Sequence, residues 1–467
     1  MTFLLLSGPA RSCVRGSNHV PVPLFEPADF RRFRFTRRSL TDGRVQLEYA
    51  LDDAYEFVEE FAIPPPERDV DPKAVEPLLD LLHWVAGVSY YKTAAPPEVW
   101  CETGAPPPAT ARYLEALYSE GLGEFAVVNR LSHLPRPVFP SGRTRSGTRR
   151  QPKAPTRALV PIGGGKDSIV ALEIVRRSGL EFTLFSVRDD PAMQRTAATA
   201  AVPRIVVERH LPLDLLHDLN RQGALNGHIP VTAIIACVAL LTAALHGYDA
   251  VVLANERSAS RGNVVYDGIE VNHQFSKSAQ AERLLREATA EATGDIDVFS
   301  ILRPGSELAI ARRFAALERY HHAFTSCNAI FRLDPGLRLA SWCGNCPKCR
   351  FVFLVLAPFM EPDALDGIFG AAMLDDESQY EGFALLTATG GHKPFECVGE
   401  EEESLAAIQL LADDPRWRDR AVVRRLVREV LDERGRSLAR VADAFALSGE
   451  HWVPAELLDD VDALLGA

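Results

Sequence analysis

The sequence predicts an α/β protein built on a doubly wound parallel sheet, with an N-terminal α+β domain and a helical C-terminal region. Three observations lead to this fold class. Apolar strand-like runs alternate with helical patterns between residues 157 and 360. A glycine-rich turn joins the first of these strands to the first of these helices. From about residue 361 onward the pattern is mostly helical and acidic.

Length and composition set the domain organisation and exclude some partners. The chain has 467 residues, 47% of them hydrophobic, so two or three domains with sizeable cores are expected. A net charge of −12 argues against nucleic acid as a partner of the whole protein. The predicted units are an N-terminal α+β domain (1–134), a basic linker (135–156), a sheet domain (157–360) and a helical region (361–467).

The N-terminal part shows short strands followed by a helix. Apolar and polar residues alternate in places between residues 33 and 61, and residues 74–92 have helical spacing. The stretch "MTFLLLSGPARSC" is expected to be extra sequence ahead of the first strand, with an apolar run too short for a secretory signal. The linker is rich in Pro, Ser, Gly and Arg.

The sheet domain starts with the strand-like "RALVPI" and a helix that stops at Gly179. Further strands are predicted at "EFTLFSV", "RIVVERH" and "DAVVLANE". The apolar run from Ile229 to Gly247 is shorter than a bilayer span and contains two threonines, so we expect a buried helix and no membrane segment. A cytoplasmic location follows as an expectation.

The turn "GGGKDS", residues 163–168, is predicted to hold a phosphate group. It lies where a strand ends and a helix begins, and backbone N–H groups at a helix start favour an anion. Asp167 follows the lysine, so the P-loop pattern G-x-x-x-x-G-K-[ST] is not met, and Ser168 replaces the last glycine of the dinucleotide pattern. The carboxylate of Asp167 cannot bind phosphate directly, so it is expected to help hold Mg²⁺ or to orient the turn.

Clustered cysteines predict a metal site. The stretch "SWCGNCPKCRF" places three cysteines in a C-x₂-C-x₂-C run, and a fourth thiol lies upstream in "TSCNAIF". Four thiolates suit a tetrahedral structural zinc (Zn²⁺) or an iron–sulfur cluster. The predicted ligands are Cys327, Cys343, Cys346 and Cys349.

Three resemblances to known families indicate which reaction the protein catalyses. "GGGKDS" resembles the loop S-G-G-x-D-S of the N-type ATP pyrophosphatases, with Gly163 in place of its first serine. The cysteine run resembles the zinc loop of the deazaguanine nitrile synthases, which favours zinc. The stretches "ANERSA", "NHQFSKS", "LRPGSELAIARRF" and "GHKPFECVGE" resemble the ATP-dependent UDP-N-acetylmuramoyl-L-alanyl-L-glutamate epimerases (the MurL family) of bacterial cell-wall synthesis. This resemblance runs from about residue 86 to 400.

The resemblance implies inversion of the terminal L-glutamate to D-glutamate, with ATP split to AMP and diphosphate. Residues 163–168 would bind the pyrophosphate group, with Mg²⁺ held by Asp167, charge stabilised by Lys166, and Asp189 or Asp190 near the nucleoside. The turn residues are Gly163, Gly164, Gly165, Lys166, Asp167 and Ser168. Candidates for substrate contacts are Asn255, Glu256, Arg257, Lys277 and Lys393. Candidates for the proton base are His273, Lys277, His392 and Cys397.

Other functions of the same fold remain open at this point. The chain could adenylate a tRNA base, with residues 143–157 as an RNA-binding arm, but its net charge argues against this. It could be an amide-forming synthetase, although no glutaminase signature is visible. It could bind ATP without cleaving it, but Asp167 and Ser168 argue for cleavage.

Overall fold

A computed structural model describes residues 25–66, 70–143, 154–331, 335–389, 391 and 393–466. The predicted extra residues at the N-terminus lie outside the described residues, as do residues 144–153 of the predicted linker and the candidate base His392. The described part of the linker includes Phe139, which is buried against Phe35 and Tyr118 at ring-centroid distances of 6.1 and 5.1 Å. That part of the linker is therefore anchored to the N-terminal core.

Strands and helices follow one another along the chain as listed here. The strands are β1 (Arg32–Thr41), β2 (Arg44–Leu51), β3 (Tyr55–Ala62), β4 (Glu98–Cys101), β5 (Arg157–Pro161), β6 (Glu181–Val187), β7 (Arg204–His210), β8 (Ala250–Leu253), β9 (Val264–Tyr266), β10 (Ile269–Val271) and β11 (Asp297–Ser300). The α-helices are α1 (Pro72–Ala86), α2 (Val88–Tyr91), α3 (Pro108–Ser119), α4 (Gly123–Val128), α5 (Lys166–Arg177), α6 (Pro191–Ala200), α7 (Leu213–Gln222), α8 (Val231–His246), α9 (Ala279–Ala292), α10 (Glu307–Ala315), α11 (Pro347–Leu356), α12 (Pro362–Phe369), α13 (Tyr380–Ala384), α14 (Glu401–Asp413), α15 (Ala421–Leu426), α16 (Asp432–Arg434), α17 (Leu438–Phe445) and α18 (Ala455–Val461).

One large sheet organises the molecule, with strand order β11-β8-β5-β6-β7-β3-β2-β1-β4. Strands β11, β8, β5, β6 and β7 are parallel, which confirms the predicted doubly wound sheet. From β5 the chain first builds β6 and β7 on one side, then β8 and β11 on the other. The direction of winding changes between β5 and β8, and the loops after these strands flank the crevice where such sheets bind ligands.

The N-terminal strands extend this sheet rather than forming a separate one. Strand β3 pairs antiparallel with β7, with Glu60 opposite His210 and Phe61 opposite Arg209. The guanidinium of Arg209 also donates to the buried carboxylate of Glu59 at 2.6 Å. The N-terminal α+β part and the parallel sheet are thus joined through β3 and β7.

Helices cover both faces of the parallel strands. Ala158 and Val160 of β5 contact a core that includes α5, α10 and α11, whereas Leu159 contacts a core that includes α1 and α8. Successive residues of a strand point to opposite faces, so a strand covered on both sides is apolar throughout. This is why the strand shows a continuous apolar run in the sequence.

Most predicted elements of the sheet domain are confirmed. Strands β6 and β7 coincide with the predicted stretches, and the long apolar helix is α8. The predicted helix over residues 74–92 is divided at Gly87 into α1 and α2. A Cβ at Gly87 would lie 2.5 Å from the ring of Phe35, so a glycine is needed where this helix crosses the sheet. Within the described residues, no helix is long and apolar enough to span a bilayer.

A small hairpin, β9–β10, was not predicted. Asp267 and Gly268 form its turn, both with positive φ (52° and 73°), as two-residue hairpin turns require. The "DG" pair between apolar residues was the available signal. The hairpin sets the position of the polar residues on either side of it, which belong to the site described next.

Candidate active site

The glycine turn lies at the carboxyl end of β5, beside the change of winding. Gly164 has a φ of 81°, and a Cβ added there would lie 2.7 Å from the Cβ of Ala192. The carbonyl of Gly164 accepts from the N–H of Thr325 at 2.9 Å, which braces the turn. Gly163 is exposed, and a Cβ there would meet no atom within 4 Å. The turn is therefore tight at its second glycine and open at its first.

This contrast gives a matched pair of substitutions. Gly164→Ala is expected to destabilise the protein by about 1–3 kcal/mol, because a side chain would be strained at positive φ and would clash with Ala192. Gly163→Ser, which restores the serine of the pyrophosphatase loop, is expected to change stability by less than about 0.5 kcal/mol. Urea unfolding of the two variants measures the difference. Equal destabilisation by both would contradict this description of the turn.

Carboxylates and one ammonium group form a buried cluster beside the turn. Lys166, the first residue of α5, forms ion pairs with Asp167 and with Glu307, the first residue of α10. Oxygens of Asp167, Glu256 and Glu307 lie within 4.8 Å of one another. Glu256 follows β8, so the loops after β5 and β8 both contribute. We call Lys166, Asp167, Glu256 and Glu307 the acidic cluster.

The charges in the acidic cluster affect one another strongly. Burial raises the pKa of Glu307 to about 8 despite the attraction of Lys166. Burial also opposes ionisation of Asp167, but Lys166 holds the pKa of this carboxyl below its usual value. For the lysine itself, burial is outweighed by Asp167 and Glu307, and its pKa is raised. The convergent carboxylate oxygens of Asp167, Glu256 and Glu307 are the kind of ligand that a divalent cation such as Mg²⁺ prefers.

A thiol, an imidazole and a carboxylate form a second group nearby, which we call the thiol–imidazole group. It consists of Cys397, His273 and Glu124, of which the last two are buried and Cys397 is half-buried. The Nδ1 atom of His273 contacts Glu124, and the thiol of Cys397 interacts with the imidazole. The ring of His228 lies beside that of His273, with a centroid distance of 4.4 Å.

The ammonium group of Lys277 interacts electrostatically with both the acidic cluster and the thiol–imidazole group. Burial opposes the charge on its ammonium group, but Cys397 and Glu256, followed by Asp167 and Glu307, more than offset this and raise its pKa. One cation is thus within electrostatic range of both the acidic cluster and the thiol. The two groups therefore belong to one site.

The four predicted cysteine ligands come together. Their sulfur atoms all lie within 4.8 Å of one another, with Cys343–Cys349 at 3.6 Å and Cys346–Cys349 at 3.4 Å. These distances are far longer than a disulfide bond. They are close to the roughly 3.8 Å expected between sulfurs of a tetrahedral site with Zn–S bonds of about 2.3 Å. The thiols fit a single ion, and Cys346 also caps α11 by accepting from the N–H of Cys349 at 3.3 Å.

Other predicted site residues have protein partners, and their roles stay predictions. Ser168 donates to the carbonyl of Gly165 at 2.9 Å, and Asn255 donates to Ser300 at 3.1 Å. The exposed carboxylate of Asp189 accepts from Gln194 at 2.8 Å and contacts Arg204. The guanidinium of Arg257 donates to the carbonyls of Ala446 (2.7 Å) and Asp443 (3.3 Å), and Lys393 donates to the carbonyl of Gly399 at 3.2 Å.

Sequence reasoning missed several residues of the site. Glu307 lies in "LRPGSELAIARRF", a stretch singled out without assigning a role to its glutamate. Glu124 lies in α4 of the N-terminal part, and His228 precedes α8 in "NGHIP". Nothing in the pattern around Glu124 distinguishes it from a surface carboxylate. Only the fold shows that α4 is next to the hairpin of the sheet domain.

Buried acids, a thiol and an imidazole at the edge of a doubly wound sheet define an α/β enzyme. The MurL N-terminal domain family matches residues 24–301, and the MurL C-terminal domain family matches residues 323–440. The chain therefore belongs to the MurL family. The predicted domain boundaries stay a prediction.

Relatives with assigned names agree with this membership. Proteins of Micromonospora sp. and Salinispora tropica are 44% and 42% identical to the chain, over 89% and 91% of its length and 94% of their own. A protein of Xanthomonas oryzae pv. oryzae is 39% identical over 94% of the chain and 98% of its own length. All three are named UDP-N-acetyl-alpha-D-muramoyl-L-alanyl-L-glutamate epimerase. The names support an isomerase.

Proposed function

We propose that the protein converts the terminal L-glutamate of UDP-N-acetylmuramoyl-L-alanyl-L-glutamate to D-glutamate, through an acyl-adenylate made from ATP. AMP and diphosphate are the by-products, and the product enters peptidoglycan synthesis. The observation that carries the proposal is that the charge of Lys277 interacts with Cys397 of the thiol–imidazole group and with all three carboxylates of the acidic cluster. Activation of a carboxylate and removal of the neighbouring α-proton need two such groups side by side, because the two reacting carbons are directly bonded.

Adenylation gives the inversion its chemical basis. The α-proton of a glutamate carboxylate is very weakly acidic, since the carbanion would lie beside a full negative charge. Esterification with AMP removes that charge and makes the carbonyl an electron acceptor. Hydrolysis of the acyl-adenylate then releases the product and makes the overall inversion favourable.

The acidic cluster and the glycine turn would carry out the adenylation. Asp167, Glu256 and Glu307 have the oxygen ligands that Mg²⁺ prefers, and Mg²⁺ would neutralise charge on the phosphates. The N–H groups at the start of α5 would bind the pyrophosphate, and Lys166 would stabilise charge as the α–β phosphate bond breaks. The four cysteines would hold a structural zinc that fixes the loop beside the turn.

The test follows substrate-dependent ATP cleavage and the configuration of glutamate together. The protein is incubated with ATP, Mg²⁺ and UDP-N-acetylmuramoyl-L-alanyl-L-glutamate in deuterated water. We expect AMP release that depends on the dipeptide substrate, and D-glutamate with deuterium at the α-carbon. Absence of substrate-dependent AMP would overturn the proposal and redirect attention to other acceptors, tRNA first.

A further inference from the structure

The thiol–imidazole group is assembled from segments far apart in the chain. Glu124 lies in α4, His273 follows β10, and Cys397 precedes α14. The backbone N–H of His273 donates to the side chain of Asn263 at 2.9 Å, and Gln274 donates to the carbonyl of Val398 at 3.3 Å. These bonds hold the segment with Cys397 against the segment with His273. The tertiary fold therefore brings Glu124, His273 and Cys397 together, although they are far apart in the chain.

The ionisation of the group follows from its neighbours. Burial disfavours a charged histidine, but Cys397 and Glu124 raise the pKa of His273 to about 9. Burial also disfavours a thiolate, yet Lys277 and then His273 hold the pKa of Cys397 well below its usual value, with a further contribution from Lys348. These interactions favour the form in which a thiolate lies next to an imidazolium.

Of Lys277, His273 and Cys397, the thiol is the one suited to accept a proton from the substrate. Lys277 stays protonated because its pKa is raised. His273 is buried, with Nδ1 against Glu124, and its raised pKa of about 9 keeps the imidazole protonated at neutral pH. Cys397 is half-buried, and the lowered pKa of its thiol favours the thiolate, which can accept a proton from a substrate beside it.

We propose that the Cys397 thiolate is the base that removes the α-proton of the adenylated glutamate, and that Glu124 and His273 are positioning residues that keep it ionised. The inference rests on the proposed function. In this step the Cα–H bond breaks, an S–H bond forms on Cys397, and the electron pair moves into the carbonyl of the acyl-adenylate as an enolate. The step needs no other reagent.

Within the described part of the chain, which does not include His392, the other ionisable groups around the thiolate do not replace it. Burial and then the positive His273 lower the pKa of His228 well below its usual value, and Lys92 adds to this effect, so His228 is neutral. Burial raises the pKa of Glu396, although His273 opposes this, and Asn328 donates to its carboxylate. The ammonium group of Lys348 is a donor to the backbone carbonyl of Cys397.

The test separates proton removal from adenylation. In Cys397→Ser, α-deuterium incorporation is expected to fall by about 10²–10⁴-fold. The exchange of labelled diphosphate into ATP, which reports adenylation alone, is expected to stay within about threefold of the wild type. Deuterium incorporation at the normal rate in this variant would overturn the proposal. Loss of diphosphate exchange in the wild-type protein would instead overturn the proposed function.

Glu124 is tested by the pH profile of deuterium incorporation. In the wild type the rate should fall as the pH drops through the lowered pKa of Cys397, because the thiolate then takes up a proton. Glu124→Gln removes a negative charge that favours the imidazolium, and a weaker imidazolium supports the thiolate less, so this acidic limb should move to higher pH. Glu120→Gln is the matched control, because its carboxylate accepts a hydrogen bond from Gln280 at 2.9 Å outside the group, and it should leave the limb unchanged. An unshifted limb in Glu124→Gln would overturn the role of Glu124.

Two further measurements keep the proposal testable if a variant does not fold. Alkylation of Cys397 in the wild-type protein, followed by peptide mass spectrometry, should be fast at pH 7 and blocked by the adenylated substrate. Slow alkylation at pH 7 would refute the thiolate. The ligand atoms of Glu124, His228 and His273 lie within 4.8 Å of one another, so metal content is measured as well. If an ion is lost in Glu124→Gln but kept when the four-cysteine site is disrupted, Glu124, His228 and His273 bind a metal ion. That result would overturn the proposal.

Discussion

Lys166→Met is expected to destabilise the protein by about 3–5 kcal/mol and to abolish diphosphate exchange into ATP. The ammonium group is buried, as is Glu307, its ion-pair partner at the start of α10. Removal of the cation leaves Glu307 and the partly buried Asp167 without their nearest positive charge. The loss of stability should be smallest at low pH, where Asp167 and Glu307 are both protonated, and should grow as the pH rises and each carboxyl ionises.

The sign of this pH dependence follows from the raised pKa of Glu307. A carboxyl that binds its proton more tightly in the folded state loses stability as the pH rises between its unfolded and folded pKa values, the latter about 8 here. In Lys166→Met the folded pKa of Glu307 should rise above 8, so the penalty due to this carboxyl grows only above about pH 8, where Glu307 ionises in the wild type but not yet in the variant. The penalty due to Asp167, whose pKa Lys166 holds below its usual value, develops at acidic pH. Urea unfolding at several pH values measures this.

A second variant tests the cause. Lys166→Met combined with Glu307→Gln removes both charges, so it should recover part of the lost stability but none of the exchange activity. Arg418→Met is the control for a surface pair, since Arg418 lies 3.7 Å from Asp419 and both side chains are exposed, and it should cost less than about 1 kcal/mol. A stable, active Lys166→Met protein would contradict the assigned role of the acidic cluster.

Local sequence patterns were enough to predict some parts of the fold and of the site. The strands of the parallel sheet show as apolar runs, because both of their faces are covered by helices. The glycine turn and the C-x₂-C-x₂-C run are contiguous, so spacing alone identifies them. In each case the residues that make the structure are neighbours in the chain.

The parts that could not be predicted depend on contacts between distant segments. The pairing of β3 with β7 could not be predicted, because nothing in the sequence of either strand indicates which strand it pairs with. Likewise, Glu124 meets His273 across 149 residues, and Lys166 meets Glu307 across 141. The candidate bases His273, Lys277 and Cys397 were predicted by chemical type, and the structure brings them together. A carboxylate that keeps a base ionised is recognisable only after the fold is known.

Loss of the metal from the four-cysteine site is expected to damage the glycine turn as well as the cysteine loop. We propose zinc as the ion, and Cys349→Ser is expected to remove it. Cys327, one of the ligands, lies two residues after Thr325, whose N–H donates to the carbonyl of Gly164 at 2.9 Å. Ser326 between them lies 3.2 Å from where a Cβ of Gly165 would be. The loop that a bound ion would fix is therefore the loop whose Thr325 donates to the glycine turn.

The expected effect is large, because structural zinc sites contribute on the order of 10 kcal/mol of apparent binding free energy, comparable to the whole stability of a domain. Cys349→Ser should contain about one zinc ion fewer per chain by mass spectrometry and lose most diphosphate exchange, with a lowered Tm. Cys101→Ser, a half-buried thiol outside the cluster, is the control and should keep its metal and activity. Iron and a visible absorption band in the wild-type protein would instead assign an iron–sulfur cluster. If the ion is lost and the rate of diphosphate exchange into ATP is unchanged, the hydrogen bond from Thr325 to Gly164 does not depend on the metal.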